Sequence, residues 1–165
     1  MGTKGRQIVG MDIEELLQIL NKAFADEWLA YYQYGIGAKI IKGPMKEAVE
    51  AEMLEHAGEE LGHADMIADR IVALGGIPLT KPEYWMEKTT CGYEEPTSGF
   101  VKDLLVQNIE AEQCAIEVYQ KLAEMTKDKD PITYFMALQI LKDEVDHEEE
   151  LQALEEDLEF VMMKK

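Results

Sequence analysis

The sequence predicts an all-α protein, a four-helix bundle with one long crossover between its second and third helices. Two observations carry this reading. Four long segments repeat their apolar residues at helical spacing, and the breaks between them run short, long, short. The 165 residues, 47% of them hydrophobic, suit one folded domain over residues 1–165, with the bundle at about 12–159.

The first helix starts at Asp12, an N-cap before Ile13, with Glu15 three residues on as in a capping box. Its inward stripe reads Ile13, Leu16, Leu20, Phe24, Glu27, Tyr31 and Tyr34, and Lys42-Gly43-Pro44 ends it. The second begins near Met45 with the stripe Val49, Met53, His56, Glu60, His63, Ile67, Ile71 and Leu74. Gly75-Gly76 stops it and Pro78 follows. Residues 75–97 hold Pro78, Pro82 and Pro96 and form the crossover, with room for a short helix at Glu83–Lys88. Thr97 or Ser98 is expected to cap the third helix, whose stripe reads Phe100, Leu104, Gln107, Glu110, Cys114, Val118 and Leu122. After a break at Asp128–Pro131, the fourth carries Phe135, Leu138, Leu141, Glu144, His147, Leu151, Leu154 and Leu158. Short turns make antiparallel neighbours, whereas a crossover of this length can run the whole bundle.

Composition narrows the function. Acidic residues number 34 against 16 basic ones, a net charge of -18. Such a chain repels nucleic acid and anionic membranes and attracts cations. Lys4 and Arg6 are too few to hold DNA against that balance. No segment is apolar enough to span a bilayer, and the first ten residues lack a signal-peptide core, so a cytoplasmic location is expected.

Polar residues interrupt each stripe near its middle: Glu27, Glu60 with His63, Glu110, and Glu144 with His147. An unpaired buried carboxylate costs several kcal/mol, so four facing inward call for cations. Glu-x-x-His places both side chains on one helix face. Two such motifs with a Glu from each remaining helix suit two iron or manganese ions, a pattern known from di-iron carboxylate bundles. Glu27 and Glu60 are separated by 33 residues and Glu110 and Glu144 by 34, which sets the ligands at matching depths in the two hairpins. The competing reading, inward glutamates solvated at a dimer interface, leaves such groups without partners.

On these residues the chain resembles the ferritin-like superfamily over about 12–159. Its site pattern is similar to bacterioferritin: Glu27, Glu60-Leu61-Gly62-His63, Glu110, and Glu144-Val145-Asp146-His147. The resemblance implies that Glu60 and Glu144 bridge two iron ions per subunit, with Glu27 and His63 completing one site and Glu110 and His147 the other. Leu61 stands where bacterioferritin has a haem-ligating Met, so no haem is expected. Only Val161–Lys165 remains for a fifth helix, which favours a twelve-subunit cage as in Dps proteins. An internal site, Dps-like length and a cysteine pair together resemble the Dps-like proteins called thioferritins.

Cys114, four residues after Glu110, reads as facing the site, and Cys91 ends the crossover. By residue type alone they are either a redox pair or unrelated thiols; the resemblance favours the redox pair. His56 reads foremost as a satisfied core histidine, with a hydrogen bond to a metal ligand or an entry-route metal contact as the alternatives. Tyr31 is a minor candidate for bonding a ligand carboxylate, Asp143 and Asp146 for orienting a facing His, and Glu148–Glu150 for a solvated face or cage lining. The function expected is a ferroxidase that oxidises Fe(II) with hydrogen peroxide or dioxygen and stores iron in a homo-oligomeric cage. The alternatives are rubrerythrin-like or manganese-catalase-like peroxide removal without storage, and a metal-free helical interaction module. The missing C-x-x-C motif weakens the rubrerythrin-like reading.

Overall fold

The structure is a computed structural model and describes residues 2–163. Its elements are α1 (Thr3–Gln7), α2 (Ile13–Ile40), α3 (Lys46–Leu74), α4 (Glu83–Lys88), α5 (Val101–Thr126) and α6 (Pro131–Met163). The all-α bundle and the long crossover match the sequence reading. The five-residue α1, which buries none of its side chains, was not expected. No helix among the described residues is long and apolar enough to cross a membrane.

Local chemistry sets most boundaries. The Asp12 carboxylate accepts from the Glu15 amide at 2.9 Å and caps α2. Gly75, at φ 88°, closes α3 in the left-handed region, and the Gly75 and Gly76 amides return to the carbonyls of Val72 and Ile71. The third long helix starts later than Thr97 or Ser98 would place it. The Lys42 amide donates to the Gly99 carbonyl, and the Val101 amide donates to the Lys42 carbonyl. These bonds hold Phe100 extended against the α2–α3 turn, so Phe100 takes the cap position and the Ser98 hydroxyl accepts the Phe100 amide. A Cβ at Gly99 would run into the Ile40 carbonyl oxygen, so this clasp requires glycine.

Apolar side chains form two separate cores. One gathers Leu20, Phe24, Ile67, Ile71, Leu122 and Ile140, and the other Tyr34, Val49, Met53, Leu104, Leu105 and Leu151. Along α2 and α6 the chain runs from the first core to the second. Along α3 and α5 it runs from the second to the first. α2 therefore packs antiparallel to α3, and α5 to α6. The crossover must return along the bundle, carrying α4 against α2, where Trp85 stacks on Trp28 at 4.9 Å. Between the two cores each long helix leaves a short polar interval.

The outer half of α6 departs from the expected stripe. Phe135 and Leu138 are exposed, and Met136, Ala137 and Ile140 are buried instead. Both sets have helical spacing, and only packing against the other helices selects between them. Val161–Met163 extend α6, so no separate fifth helix forms there; Lys164 and Lys165 lie outside the described residues.

A buried ion pair locks α3 to the start of α6. Arg70 Nη2 donates to Asp130 Oδ2 at 2.6 Å and Nε donates to the Thr133 hydroxyl at 2.8 Å. Asp130 also accepts the Ile132 and Thr133 amides and so caps α6. Burial alone would raise the Asp130 pKa, but the bonds from Thr133 and Arg70 and the guanidinium charge outweigh it and hold it below 3.8. Asp130→Ala strands a buried guanidinium and should cost about 3–5 kcal/mol in urea denaturation at neutral pH. Because the folded pKa is depressed, this contribution is complete above the ordinary value and fades as pH falls toward the depressed one. The gap between wild type and variant should therefore narrow below about pH 4; a gap that widens in acid would contradict the assignment.

Candidate metal centre

The polar interval between the cores holds Glu27 from α2, Glu60 and His63 from α3, Glu112 from α5, and Glu144 and His147 from α6. None is more than 3% exposed. Their ligand atoms form two overlapping groups, Glu27–Glu60–His63–Glu144 and Glu60–Glu112–Glu144–His147, each within 4.8 Å. Glu60 and Glu144 belong to both. His63 Nδ1 lies 3.3 Å from Glu60, 3.5 Å from Glu27 and 3.2 Å from Glu144. His147 Nδ1 lies 3.4 Å from Glu60, 3.4 Å from Glu144 and 3.8 Å from Glu112. The two halves thus repeat one arrangement.

Outer groups orient these side chains. His63 Nε2 meets Asp143 at 3.3 Å and His147 Nε2 meets Glu59 at 2.6 Å. A proton on each Nε2 turns the Nδ1 lone pair into the centre, the usual way a carboxylate positions a ligating imidazole. The Tyr119 hydroxyl donates to Glu27, and the Tyr34 hydroxyl donates to Glu112. Each unshared glutamate therefore has its own phenol.

The centre is electrically unbalanced without cations. Burial, then the charges of Glu60 and Glu144, push Glu27 and Glu112 well above the ordinary carboxylate range. Burial would lower the imidazoles, but the close carboxylates of Glu144 and the neighbouring glutamates raise His63 strongly and His147 to about 12. Burial would also raise Glu60, yet the imidazoles of His147 and His63 beside it pull it far down. Glu27 Oε2, Glu60 Oε1, both Glu144 oxygens and His147 Nδ1 are buried without a hydrogen-bond partner. Such atoms are rare and costly. Two divalent cations would satisfy all of them, and the mixed carboxylate and imidazole set suits iron or manganese.

One expected ligand is corrected. Glu110 is exposed and Glu112 occupies its place. The buried face of α5 runs through Leu105, Asn108, Glu112 and Tyr119, with Glu112 two turns from Leu105 and from Tyr119. The stripe read through Gln107 and Glu110 drifts off that face. The signal was present: three apolar positions, Leu104, Leu105 and Ile109, define the face better than Phe100 and Leu104 alone. Tyr31, at 36% exposed, bonds no ligand; Tyr34 does. Tyr119 and Glu59 were missed. Asp143 meets His63 as expected, whereas Asp146 pairs with Lys142 on the surface.

Cys91 and Cys114 are joined as a disulfide that ties the crossover to α5. Cys114 is half-buried at the edge of the α5 face, two residues beyond Glu112, and does not point into the ligand cluster as its spacing from Glu110 suggested. Asp26 Oδ1 holds the Cys91 turn, accepting the Thr89 hydroxyl and the Thr90 and Cys91 amides. A pocket of about 170 Å³ is lined by Cys91, Asp26 and exposed Glu110 together with buried Glu27, Glu60 and Glu112. It links the disulfide and the surface to the centre.

Two outcomes test the geometry. Glu112→Ala should weaken Mn(II) binding at least about tenfold by calorimetry, while Glu110→Ala should leave it within about twofold; the reverse ranking would restore Glu110. The imidazoles must be neutral to ligate, so filling the centre at pH 7 should release at least about two protons per subunit into weak buffer. Metal uptake with no proton release would contradict the charge account.

The chain matches the ferritin-like domain over residues 17–161. It is 39% identical over 145 residues to a DNA protection during starvation protein of Pyrococcus furiosus, covering 84% of this chain and 76% of that one. Its structure is similar to the bacterioferritin-related protein of Bacteroides fragilis, a dodecameric thioferritin, with TM-score 0.96 and 40% identity over 99% and 98% of the two chains. It also shares the fold of Dps from Thermosynechococcus elongatus at TM-score 0.81 and 20% identity, covering 86% and 90%. Two cores flanking one buried cluster, and these matches over nearly the whole chain, lead to one conclusion: the protein belongs to the ferritin-like family.

Proposed function

We propose that this protein is a ferroxidase and iron store. Two Fe(II) occupy the cluster in each subunit, are oxidised by hydrogen peroxide or dioxygen, and pass into a homo-oligomeric cage as mineral. The observation that carries this is the paired ligand set with its partnerless buried atoms. Four carboxylates balance two divalent cations, so the site favours filling with metal over standing empty. Glu60 and Glu144, common to both groups, would bridge. Glu27 with His63, and Glu112 with His147, would complete the two halves.

The residues divide the work. The Tyr119 and Tyr34 hydroxyls hold the unshared glutamates, and Asp143 and Glu59 hold the imidazoles. The two apolar cores keep bulk water away from both ends. The pocket beside Cys91 admits a small oxidant. With peroxide the balance is two Fe(II), one hydrogen peroxide and two protons giving two Fe(III) and two waters. This removes peroxide together with the iron that would split it into hydroxyl radical.

The cysteines fit as a redox partner of that reaction. Closing the Cys91–Cys114 disulfide releases two electrons and two protons, the amount needed to reduce one peroxide. This favours a second reading, peroxide removal without storage, in which an external thiol reductant opens the disulfide and the resulting dithiol returns the metal to its reduced state as the disulfide closes again; manganese would serve there as well as iron. The twelve-subunit cage is supported by the likeness to the dodecameric Bacteroides fragilis thioferritin. With a net charge of -18 the chain should protect DNA, if at all, by controlling iron and not by binding it. Leu61 supports a site without haem, and we place the protein in the cytoplasm.

Stopped-flow Fe(II) oxidation with peroxide tests the chemistry. The double variant Glu60→Ala, Glu144→Ala should lose the fast phase by at least about a hundredfold; an unchanged rate would refute the site. Size-exclusion chromatography of the iron-loaded protein tests the storage. A cage retaining hundreds of irons supports it, and an assembly retaining only the cluster metals would leave peroxide removal alone.

A further inference from the structure

Residues 89–94 of the crossover are tied to both helices that border the pocket beside the disulfide. On the α2 side, Asp26 Oδ1 accepts the Thr90 amide at 2.8 Å, the Cys91 amide at 3.0 Å and the Thr89 hydroxyl. Gln33 Oε1 accepts the Glu94 amide at 3.3 Å. On the α5 side, Gln107 Nε2 donates to the Glu94 carbonyl at 2.5 Å, and the disulfide joins Cys91 to Cys114. The Thr89 hydroxyl also accepts the Gly92 amide at 2.8 Å and so closes the turn. Gly92 stands at φ 81°, in the left-handed region where glycine is unstrained.

Only one of these ties depends on redox state. Opening the disulfide takes two electrons and two protons from an external pair of thiols, which become a disulfide and leave two thiols here. The bonds to Asp26 involve no sulfur and outlast that step. Asp26 is itself fixed, 8% exposed in the body of α2. Three bonds to one fixed oxygen set the orientation of the turn as well as its position. The place of Cys91 is thus set by α2 and that of Cys114 by α5, and both helices are locked in the bundle. Cys91 and Cys114 are 23 residues apart in sequence. A loose loop of that length would have to be brought back against its chain entropy at every closure; a turn already held in place avoids that cost.

We propose that Asp26 is the positioning residue of the Cys91–Cys114 couple. It holds the Cys91 turn against α5 in the dithiol state, so the pair closes within its own subunit. The proposal rests on the peroxide-removing reading for the use of the electrons, and on the hydrogen bonds for its existence. The net closing step balances: two thiols and one hydrogen peroxide give one disulfide and two waters. Asp26 directly precedes Glu27 on α2, and Cys114 follows Glu112 by two residues on α5. The couple and the two unshared glutamates therefore ride on the same two helices, and the electron source keeps its spacing from the centre through the cycle. A Cys91 without this hold would be free to form mixed disulfides with other molecules.

The closing equilibrium tests this in the intact, metal-free oligomer. The protein is equilibrated anaerobically with mixtures of reduced and oxidised dithiothreitol, quenched with N-ethylmaleimide and read by mass spectrometry. Asp26→Ala should lower the equilibrium constant for closure at least about tenfold, equal to about 30 mV of reduction potential. Asp26→Asn keeps an acceptor oxygen and should recover closure to within about threefold of wild type. Gln107→Ala removes a tie to the same segment away from Cys91 and should stay within about twofold. Thr89→Val leaves Asp26 and α2 untouched and should show a fall of severalfold, so the test stands even where Asp26→Ala does not fold. In wild type the Thr90 and Cys91 amides should stay protected from hydrogen exchange after reduction. Closure equal to wild type in Asp26→Ala or in Thr89→Val would overturn the role of Asp26. So would an equal fall in Gln107→Ala, or amides that lose protection on reduction alone. No metal is present in these measurements, so their outcome and that of the ferroxidase tests are independent.

Discussion

The organising constraint is the burial of four carboxylates and two imidazoles between two apolar cores. Taking one charge into such an interior costs several kcal/mol, and gathering four of one sign adds repulsion to desolvation. In the absence of metal, burial and mutual repulsion raise Glu27 and Glu112, the surrounding carboxylates raise both imidazoles, and five polar atoms of the cluster have no hydrogen-bond partner. A fold that carries this penalty at its centre needs strong support elsewhere. The two cores, the Arg70–Asp130 pair, the Gly99 clasp and the Cys91–Cys114 bond supply it away from the cluster.

The symmetry of the cluster follows from the topology. Each hairpin, α2 with α3 and α5 with α6, offers one lone glutamate and one Glu-x-x-His helix. Because the crossover returns along the bundle, the hairpins meet with their polar intervals at one depth. Glu60 and Glu144 then face each other across the axis, and each outer half repeats the pattern of a glutamate, a tyrosine and a carboxylate-held imidazole. The crossover completes the design by bringing Cys91 and the Asp26-held turn over the α2–α5 seam. The α3–α6 seam is lined by acidic side chains instead.

Much of this was legible in the sequence because it depends on local patterns. The Asp12 cap, the Gly75 stop, the Glu83–Lys88 helix and the long crossover are short-range signals, and the two Glu-x-x-His motifs place four cluster residues without knowledge of tertiary packing. What was not legible depended on helix rotation. α5 contains Glu110 and Glu112, and only the true direction of its buried face, set by Leu105, Asn108 and Tyr119, decides which turns inward. The same ambiguity put Phe135 and Leu138 inside α6 on paper and outside in the fold. Tyr119 and Glu59 lay beyond reach for another reason. Each acts on a residue of a different helix, and one sequence does not reveal such pairings.

The most direct measurement of the central claim is anomalous diffraction at the iron edge from crystals loaded anaerobically with Fe(II). The account predicts two peaks in each subunit, both between Glu60 and Glu144, one beside His63 and Glu27 and the other beside His147 and Glu112. A cluster without ordered iron, or a second peak held at Glu110, would contradict it.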